Sequence, residues 1–178
     1  MAMEDAALVA RAAAGDETAF ELLVRRNADP VWRLARTILK DDFAAEEAVQ
    51  DTFLKAHRAL GSYRGEASVK TWLCSICHRA CIDRLRKKQA QVVPLEAIRE
   101  QRARDQQVEL RLALEEAMSE LPGDERRAFE LVHVLGYSRE EAAAIVGVPP
   151  STMRSRVTRA RRRLAESIGG PEARIEER

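Results

Sequence analysis

The chain has 178 residues, of which 33% are charged and only 4% aromatic, and its formal net charge is +1. This composition favours helices with modest cores over a β-sandwich, and the length suits one domain or two small ones. No apolar run approaches the ~20 residues of a membrane span, and no signal-peptide pattern opens the chain. We therefore expect a cytoplasmic, all-α protein without direct membrane insertion.

Helical patterns fill the beginning of the chain. An alanine-rich stretch over residues 3–14 predicts a first helix, and Asp16 is placed to cap a second helix that runs to about Asn27. Pro30 predicts the start of a third helix, because proline fits a first turn, where its missing N–H costs nothing.

A helix predicted from about Asp42 to Leu60 concentrates acidic residues in its first half. Acids there complement the positive end of the helix dipole, and capping with solubility is the simpler interpretation. The alternative is a docking face for a basic partner. Phe53 and its apolar neighbours on this helix would then contact either that partner or the core of the protein.

A short loop over residues 61–66 then leads into a long helix predicted from about Ala67 to Lys88, whose second half is basic. Cations suit a helix C-terminus because they complement its dipole. An aromatic-bearing loop that leads into a basic helix can also hold single-stranded bases, by stacking and phosphate neutralisation. The local sequence leaves both interpretations open.

Residues 89–107 interrupt the helical pattern and predict a linker. A helix resumes near Val108, a Leu-Pro-Gly turn follows at 121–123, and Asp124 is placed to cap the next helix. The last residues, 168–178, are predicted to fray.

The stretch from Tyr137 to Ser167 predicts two helices joined by a tight turn. Ser138 and Glu141 have the spacing of a capping box, in which each side chain satisfies an orphan N–H group. Gly147 stands where the first helix must end, because glycine enters positive φ without a Cβ penalty. Pro150 then presets the first turn of the second helix. This arrangement is a helix-turn-helix.

The second of these helices has an apolar stripe and a basic remainder. Six of the ten residues 154–163 are arginine, and Met153, Val157, Ala160 and Leu164 recur at helical spacing. Hydroxyls and guanidinium groups on such a helix can reach base edges in a DNA major groove, while other arginines neutralise phosphates. We therefore predict DNA binding here, and an ordinary solvated basic helix is the simpler alternative.

Three cysteines lie within eight residues. Cys74, Cys77 and His78 spell a haem-attachment pattern, and Cys81 adds a third thiol. All four share one helical face, whereas structural zinc sites draw ligands from a turn plus another element. We expect small, half-buried side chains beside Ile76. A metal site, redox sensing and haem attachment are the alternatives.

Taken together, these segments resemble a known family. An acidic helix (AAEEAVQDTFLKAHRAL) precedes SYRGEASVKTWL and CIDRLRKK, and after the linker comes LEEAMSELPGDERRAFELVHVLGYSREEAAAIVGVPPSTMRSRVTRARRRL. In this order and spacing they resemble an extracytoplasmic-function (ECF) sigma factor of the sigma-70 family, over residues 5–167. The resemblance implies two small helical domains on a flexible linker: 1–88 resembles sigma region 2, and 108–167 resembles region 4.

The resemblance also implies partners and site residues. The partners would be promoter DNA, an anti-sigma factor, and core RNA polymerase, through its β′ clamp helices and β flap; no catalytic residue, cofactor or metal is implied. The polymerase contacts would be Glu47, Gln50, Asp51 and Phe53. The −10 element would be opened and bound by Tyr63, Arg64, Lys70, Arg79 and Arg86. The −35 element would be read by Ser151, Thr152, Arg154, Ser155, Arg156, Thr158, Arg159 and Arg162.

Two positions depart from the family pattern. His57 stands where tryptophan is common, and Pro150-Ser151 replaces a residue-plus-glycine pair before the recognition threonine. The main alternative function is a helix-turn-helix transcriptional regulator with a helical N-terminal domain. That alternative explains the second half of the chain equally well but gives the acidic helix and the aromatic loop no joint purpose.

Overall fold

A computed structural model describes residues 4–91 and 106–168, with side chains over 4–87 and 112–168. Within these ranges the chain forms eight α-helices and no strand, which confirms the all-α prediction. Most of the predicted linker and tail lie outside the described residues. The helices group into an N-terminal module (α1–α4) and a C-terminal module (α5–α8).

The N-terminal module consists of α1 (Asp5–Ala13), α2 (Glu17–Leu39), α3 (Asp42–Ala59) and α4 (Val69–Gln91). Helices α2, α3 and α4 all pack against one another, and α1 packs on α2. Asp16 and Asp41 cap α2 and α3 through their side chains, which accept hydrogen bonds from Ala19 N and Ala44 N. The cap predicted at Asp16 is therefore confirmed.

The predicted break near Asn27 is wrong, because α2 runs straight through Pro30. The proline lacks one N–H donor, yet residues on both sides of it are buried: Leu23 is 3% exposed, Val31 0% and Leu34 1%. Burying this apolar stripe outweighs the lost hydrogen bond, so tertiary packing overrides the local signal. The Asn27 side chain donates to Leu23 O at 3.0 Å and is itself buried.

The C-terminal module consists of α5 (Gln106–Glu120), α6 (Gly123–Phe129), α7 (Arg139–Val146) and α8 (Pro150–Ile168). A π-helical turn over Glu130–Val134 continues α6. The predicted cap at Asp124 is wrong: Pro122 occupies the N-cap position of α6 and makes no side-chain cap. Asp124 lies in the first turn instead, where its carboxylate is free to contact another helix.

The two modules pack against each other, chiefly through α4 and α7. One continuous cluster of buried side chains includes Leu73 and Cys74 of the N-terminal module with Leu131 and Tyr137 of the C-terminal module. Neither module surface is therefore free at this contact. No helix within the described residues is long and apolar enough to cross a membrane.

Candidate polymerase and nucleic-acid interfaces

The helix-turn-helix forms as its sequence predicts. The Ser138 side chain accepts from Glu141 N, and the Glu141 carboxylate accepts from Ser138 N at 2.9 Å, which completes the capping box. Gly147 ends α7 with φ +77°, the left-handed conformation that favours glycine. This turn directs α8 away from α7 and sets which face of α8 is exposed.

The predicted apolar stripe of α8 is buried: Met153, Val157, Ala160 and Leu164 are at most 5% exposed. Of the predicted −35 residues, Arg154, Ser155, Thr158 and Arg162 are exposed, and so is Ser151 near the start of the helix. We call these five residues the outward face. Thr152 is half-buried, and its carbonyl accepts from Ser155 Oγ at 3.3 Å.

The remaining two predicted −35 residues are held by acids of α6. Arg156 Nε lies 3.0 Å from an Asp124 carboxylate oxygen, and Arg159 Nε lies 3.0 Å from Glu125. Arg163 Nε, one turn further along, also lies 3.0 Å from Glu125. Neither acid was predicted as a partner of α8, because nothing in the spacing of Asp124 and Glu125 shows which helix they face.

The loop before α4 forms a pocket of about 190 Å³, which we call the loop pocket. Its lining includes the two aromatic rings of Tyr63 and Trp72, whose centroids are 5.2 Å apart. The Tyr63 hydroxyl donates to Ala67 O at 2.7 Å, so the loop closes on itself. Burial raises the pKa of this hydroxyl, and Asp5 adds to the rise. Ala144 of α7 forms part of the pocket wall.

The predicted −10 residues divide into two groups. Arg64 lies on the loop, and Arg79 and Arg86 are exposed on α4 at seven-residue intervals after Trp72. Seven residues are nearly two helical turns, so these side chains follow the same side of α4 as the pocket. Lys70 faces the C-terminal module instead, 3.8 Å from a Glu141 oxygen and 5.1 Å from the centre of the Tyr137 ring.

Two of the predicted polymerase contacts on α3 also form hydrogen bonds within the protein. Arg84 of α4 bonds to both Glu47, at 2.8 Å, and Asp51. These hydrogen bonds raise the pKa of the arginine, with the Asp51 bond as the largest cause. Gln50 is exposed, whereas Phe53 is only 8% exposed. The most exposed apolar side chains of α3 are Phe43 at 72% and Leu54 at 59%.

An apolar groove of about 750 Å³ runs between α2 and α3. We call it the α2–α3 groove, and it is lined by Glu17, Phe20, Val24, Ala28, Val49, Gln50, Phe53, Leu54 and His57. The His57 ring contacts the edge of Phe20, with centroids 4.8 Å apart. The histidine that departs from the family pattern therefore packs at the rim of the groove.

The contact between modules contains polar groups withdrawn from water. The Cys74 thiol and the Tyr137 hydroxyl are 3.1 Å apart, and burial raises the pKa of Cys74 to about 11. His78 is 7% exposed, and neither ring nitrogen has a hydrogen-bond partner among the described residues. Burial, together with Arg127 and Arg79, lowers its pKa to about 4. Lys40 Nζ lies 3.2 Å from Glu130 across the contact.

The cysteines are structural in this conformation. All three are free thiols and fully buried, more deeply than the half-buried side chains expected from the sequence. Cys77 and Cys81 have their sulfurs 3.9 Å apart. Within the described residues, no three His, Cys, Asp or Glu side chains are arranged to hold a metal ion.

Known proteins resemble this chain over most of its length. The family model of sigma-70 region 2 matches residues 23–91, and that of sigma-70 region 4 matches residues 111–164. The ECF RNA polymerase sigma factor SigM of Mycobacterium tuberculosis is 42% identical over 93% of this chain and 85% of the relative. The ECF sigma-E factor of Haemophilus influenzae is 32% identical over 93% of this chain and 96% of its own.

Two solved structures have a similar fold. CnrH in complex with the cytosolic domain of CnrY has a TM-score of 0.66 and 26% identity, covering 90% of this chain and 94% of CnrH. The sigma factor RpoE of Bartonella quintana, in complex with the anti-sigma factor NepR, has a TM-score of 0.64 and 29% identity, covering 85% and 98%.

Proposed function

This chain belongs to the ECF sigma factors of the sigma-70 family, and from that premise we propose that it binds core RNA polymerase and directs it to promoters with specific −35 and −10 elements. We assign residues 1–88 to polymerase docking and the −10 element, and residues 108–167 to the −35 element. Polymerase supplies the chemistry, so the chain itself needs no catalytic group.

The α3 surface suits docking to a larger protein. Its exposed side combines the carboxylates of Glu47 and Asp51 with the exposed side chains of Gln50 and Leu54. Beside it, the α2–α3 groove offers an apolar surface of the kind that receives an amphipathic helix. Aromatic and aliphatic anchors in such grooves supply most of the binding free energy, while charges at the rim select the partner.

The loop pocket suits a single extruded base. Its volume of about 190 Å³ is smaller than the ~300–1,000 Å³ of drug-sized sites, and two aromatic side chains line it. Stacking of a base on an aromatic ring contributes ~1–3 kcal/mol and tolerates any base identity. Arg64, Arg79 and Arg86 would neutralise the phosphates of the attached strand. Capture of an unstacked base helps to offset the cost of opening the duplex.

The loop pocket is the observation that carries the proposal. The outward face of α8 would serve either a sigma factor or an ordinary regulator, because both read duplex DNA with a recognition helix. An aromatic pocket that leads to exposed arginines on α4 suits single-stranded DNA, which a regulator that reads only duplex DNA does not need to hold. That combination favours a factor that opens promoters.

We also propose an anti-sigma factor as a partner. RpoE, which resembles this chain over most of its length, was solved with the anti-sigma factor NepR. The exposed apolar side chains at the α2–α3 groove offer a surface on which such a partner could compete with polymerase.

A run-off transcription assay tests the proposal. Core polymerase with the full chain should initiate at defined start sites on genomic fragments, and a Trp72→Ala variant should bind polymerase normally but open duplex promoters poorly. Pre-melting the template around its −10 region should restore much of its activity. Unchanged, non-specific transcription by core polymerase in the presence of the chain would refute the sigma assignment. Binding to duplex DNA without an effect on start-site choice would favour the helix-turn-helix regulator.

A further inference from the structure

Three arginine side chains of α8 contact two carboxylates of α6. Arg156, Arg159 and Arg163 are spaced by three and four residues and so share one flank of the helix. Their Nε atoms lie 3.0 Å from Asp124 in the first case and from Glu125 in the other two. This flank borders the outward face, where the DNA bases would lie.

Glu125 differs from an ordinary surface acid. Its side chain is 7% exposed, whereas the arginines that it contacts remain about half exposed, at 48% for Arg159 and 50% for Arg163. A buried carboxylate is costly unless its charge is balanced by hydrogen-bonded partners. Oε1 lies 3.0 Å from Arg159 Nε and Oε2 lies 3.0 Å from Arg163 Nε; the second contact is an ion pair without hydrogen-bond geometry. One buried acid therefore faces two exposed cations.

The contacts with Glu125 leave N–H donors of Arg159 and Arg163 available for hydrogen bonds to DNA. Each guanidinium has five N–H donors in a fixed plane, and the nearest contact to Glu125 uses only the Nε edge. A flexible side chain loses rotamer freedom when it binds, and one that is already held loses less. Arg159 and Arg163 are therefore presented to DNA in a restricted set of orientations.

We propose that Glu125 is a positioning residue for −35 recognition: it holds Arg159 and Arg163 so that they contact particular bases or phosphates rather than any nearby negative charge. This inference rests on the proposed −35 function of α8. Glu125 itself does not touch DNA, and it acts through the two arginines.

The proposal predicts two opposite effects when the charge of Glu125 is removed. A carboxylate near the DNA repels phosphates, so its loss should strengthen non-specific, salt-dependent binding. The freed arginines should also lose their fixed orientation, so discrimination between sequences should fall. A residue that only stabilises the fold would change neither property in the protein that remains folded.

The test compares Glu125→Gln with Glu140→Gln in the full chain. Glu140 lies exposed in the first turn of α7, so the control makes the same charge change in the same module. Duplex DNA with a short randomised window is selected with the unaltered protein, and the enriched duplex and a scrambled duplex are then the probes. We expect Glu125→Gln to lower the ratio of their affinities by about tenfold, while Glu140→Gln leaves it unchanged.

A comparison of combined variants tests whether Glu125 affects discrimination through Arg159 and Arg163. In an Arg159→Ala/Arg163→Ala background, Glu125→Gln should have no further effect on discrimination, because its partners are gone. Circular dichroism at the assay temperature confirms that each variant is folded. Glu125→Asp gives a second, milder variant, which keeps the charge but shortens its reach and should cause a smaller loss.

Three results would overturn the proposal. These are unchanged discrimination in folded Glu125→Gln, an equal rise of both affinities, and a loss of discrimination that persists in the Arg159→Ala/Arg163→Ala background. The first result would show that Glu125 only stabilises the fold. The second would show that its negative charge only weakens DNA binding and does not affect discrimination between sequences. The proposed −35 function fails separately, if Arg154→Ala and the double arginine variant leave the affinity for the enriched duplex unchanged.

Discussion

The two candidate DNA-binding surfaces differ in what their charged side chains contact. On α8, Arg156 and Arg159 pair with acids of their own module, and the outward face stays exposed. At the loop pocket, Ala144 of the other module forms part of the wall, and Lys70 of α4 lies against Tyr137 and Glu141. Similar ion-pair chemistry orients side chains at one site and joins two modules at the other.

This difference has a consequence for promoter binding. In the proposed promoter complex, the outward face of α8 would meet duplex DNA without rearrangement, because the pairs of Arg156 and Arg159 lie on a flank. On the α4 surface Arg79 and Arg86 are exposed, and Arg79 Nε donates to Ser75 O of its own helix at 3.2 Å. In the proposed complex, Lys70 would have to exchange Glu141 for a phosphate before it contributes. The contact between modules must therefore loosen at Lys70 before all the predicted −10 residues act together.

The largest effect expected at the module contact is a fall in the free energy of unfolding at low pH, caused by protonation of His78. The pKa of His78 is about 4 in this structure and returns to about 6.5 in water. The groups facing it are Arg127 and Glu130 of the C-terminal module and Arg79 of its own helix, and Glu130 is paired in turn with Lys40 at the end of α2. Unfolding exposes His78 to water, where its imidazole binds a proton more tightly than in the folded protein. The contribution of neutral His78 to the stability of the fold is therefore complete above pH 6.5 and is lost as the pH falls towards 4.

The linked loss should reach about 3 kcal/mol between pH 7 and pH 4. Urea unfolding at several pH values measures it, with His78→Leu as the comparison, since leucine has no proton to bind. The slope of stability against pH should be shallower in the variant over this window. Parallel slopes would show that the pKa of His78 is the same in the folded and the unfolded protein, as for a histidine in contact with water.

A smaller effect should follow from Lys40→Glu. The Lys40–Glu130 pair joins the modules, and reversal places two acids together; because Lys40 is largely exposed, the loss should be about 1 kcal/mol. Lys40 already has a positive φ of 57°, and glutamate carries the same Cβ, so backbone strain does not change. Small-angle X-ray scattering of the full chain should show a larger radius of gyration.

Arg25→Glu is the matched control for that experiment. Arg25 lies on the same helix, pairs only locally with Glu21 and is 74% exposed, so the change in net charge is identical. Expansion in both variants would assign the effect to net charge rather than to the module contact.

A comparable but more local effect should follow from Tyr137→Phe. The variant keeps the buried ring but removes the hydroxyl that pairs with Cys74, which should cost about 1 kcal/mol. In a Trp32→Phe background, acrylamide quenching of Trp72 reports access to the loop pocket, and it should increase. DNA discrimination by α8 should stay unchanged, since its pairs lie elsewhere; a change there would mean that the two surfaces are coupled.

The smallest effect is expected on the exposed end of α8. Glu166→Gln removes an i,i+4 partner of Arg162 that lies 3.8 Å away with both side chains more than half exposed. Such pairs contribute ~0.2–0.5 kcal/mol, so thermal unfolding should barely shift. A large shift would show that the end of α8 is held more tightly than its exposure suggests.

Local sequence signals predicted the helix-turn-helix well. The Ser138 capping box, the Gly147 turn and the buried stripe through Met153 and Val157 are all confirmed. These features depend on residues within one or two turns of each other, so their spacing carries the information. Pro30 shows the limit of the same reasoning, because a long-range core kept α2 continuous where the local signal favoured a break.

Other features depended on contacts between distant residues. The spacing of Glu47 and Asp51 does not reveal that Arg84 bridges them, and nothing near Glu125 in the chain identifies Arg159 as its partner. The burial of His78 likewise depends on residues about fifty positions away.

The sequence by itself determined that this chain is helical, where its helix-turn-helix lies, and which family it belongs to, because caps, turns and apolar periodicity act over a few residues. Only the tertiary structure decided which charges are paired and which are exposed. Those outcomes depend on how helices far apart in the chain pack together, and the same residue types are compatible with either. The free guanidinium of Arg154 and the held one of Arg159 differ in their neighbours, not in their chemistry.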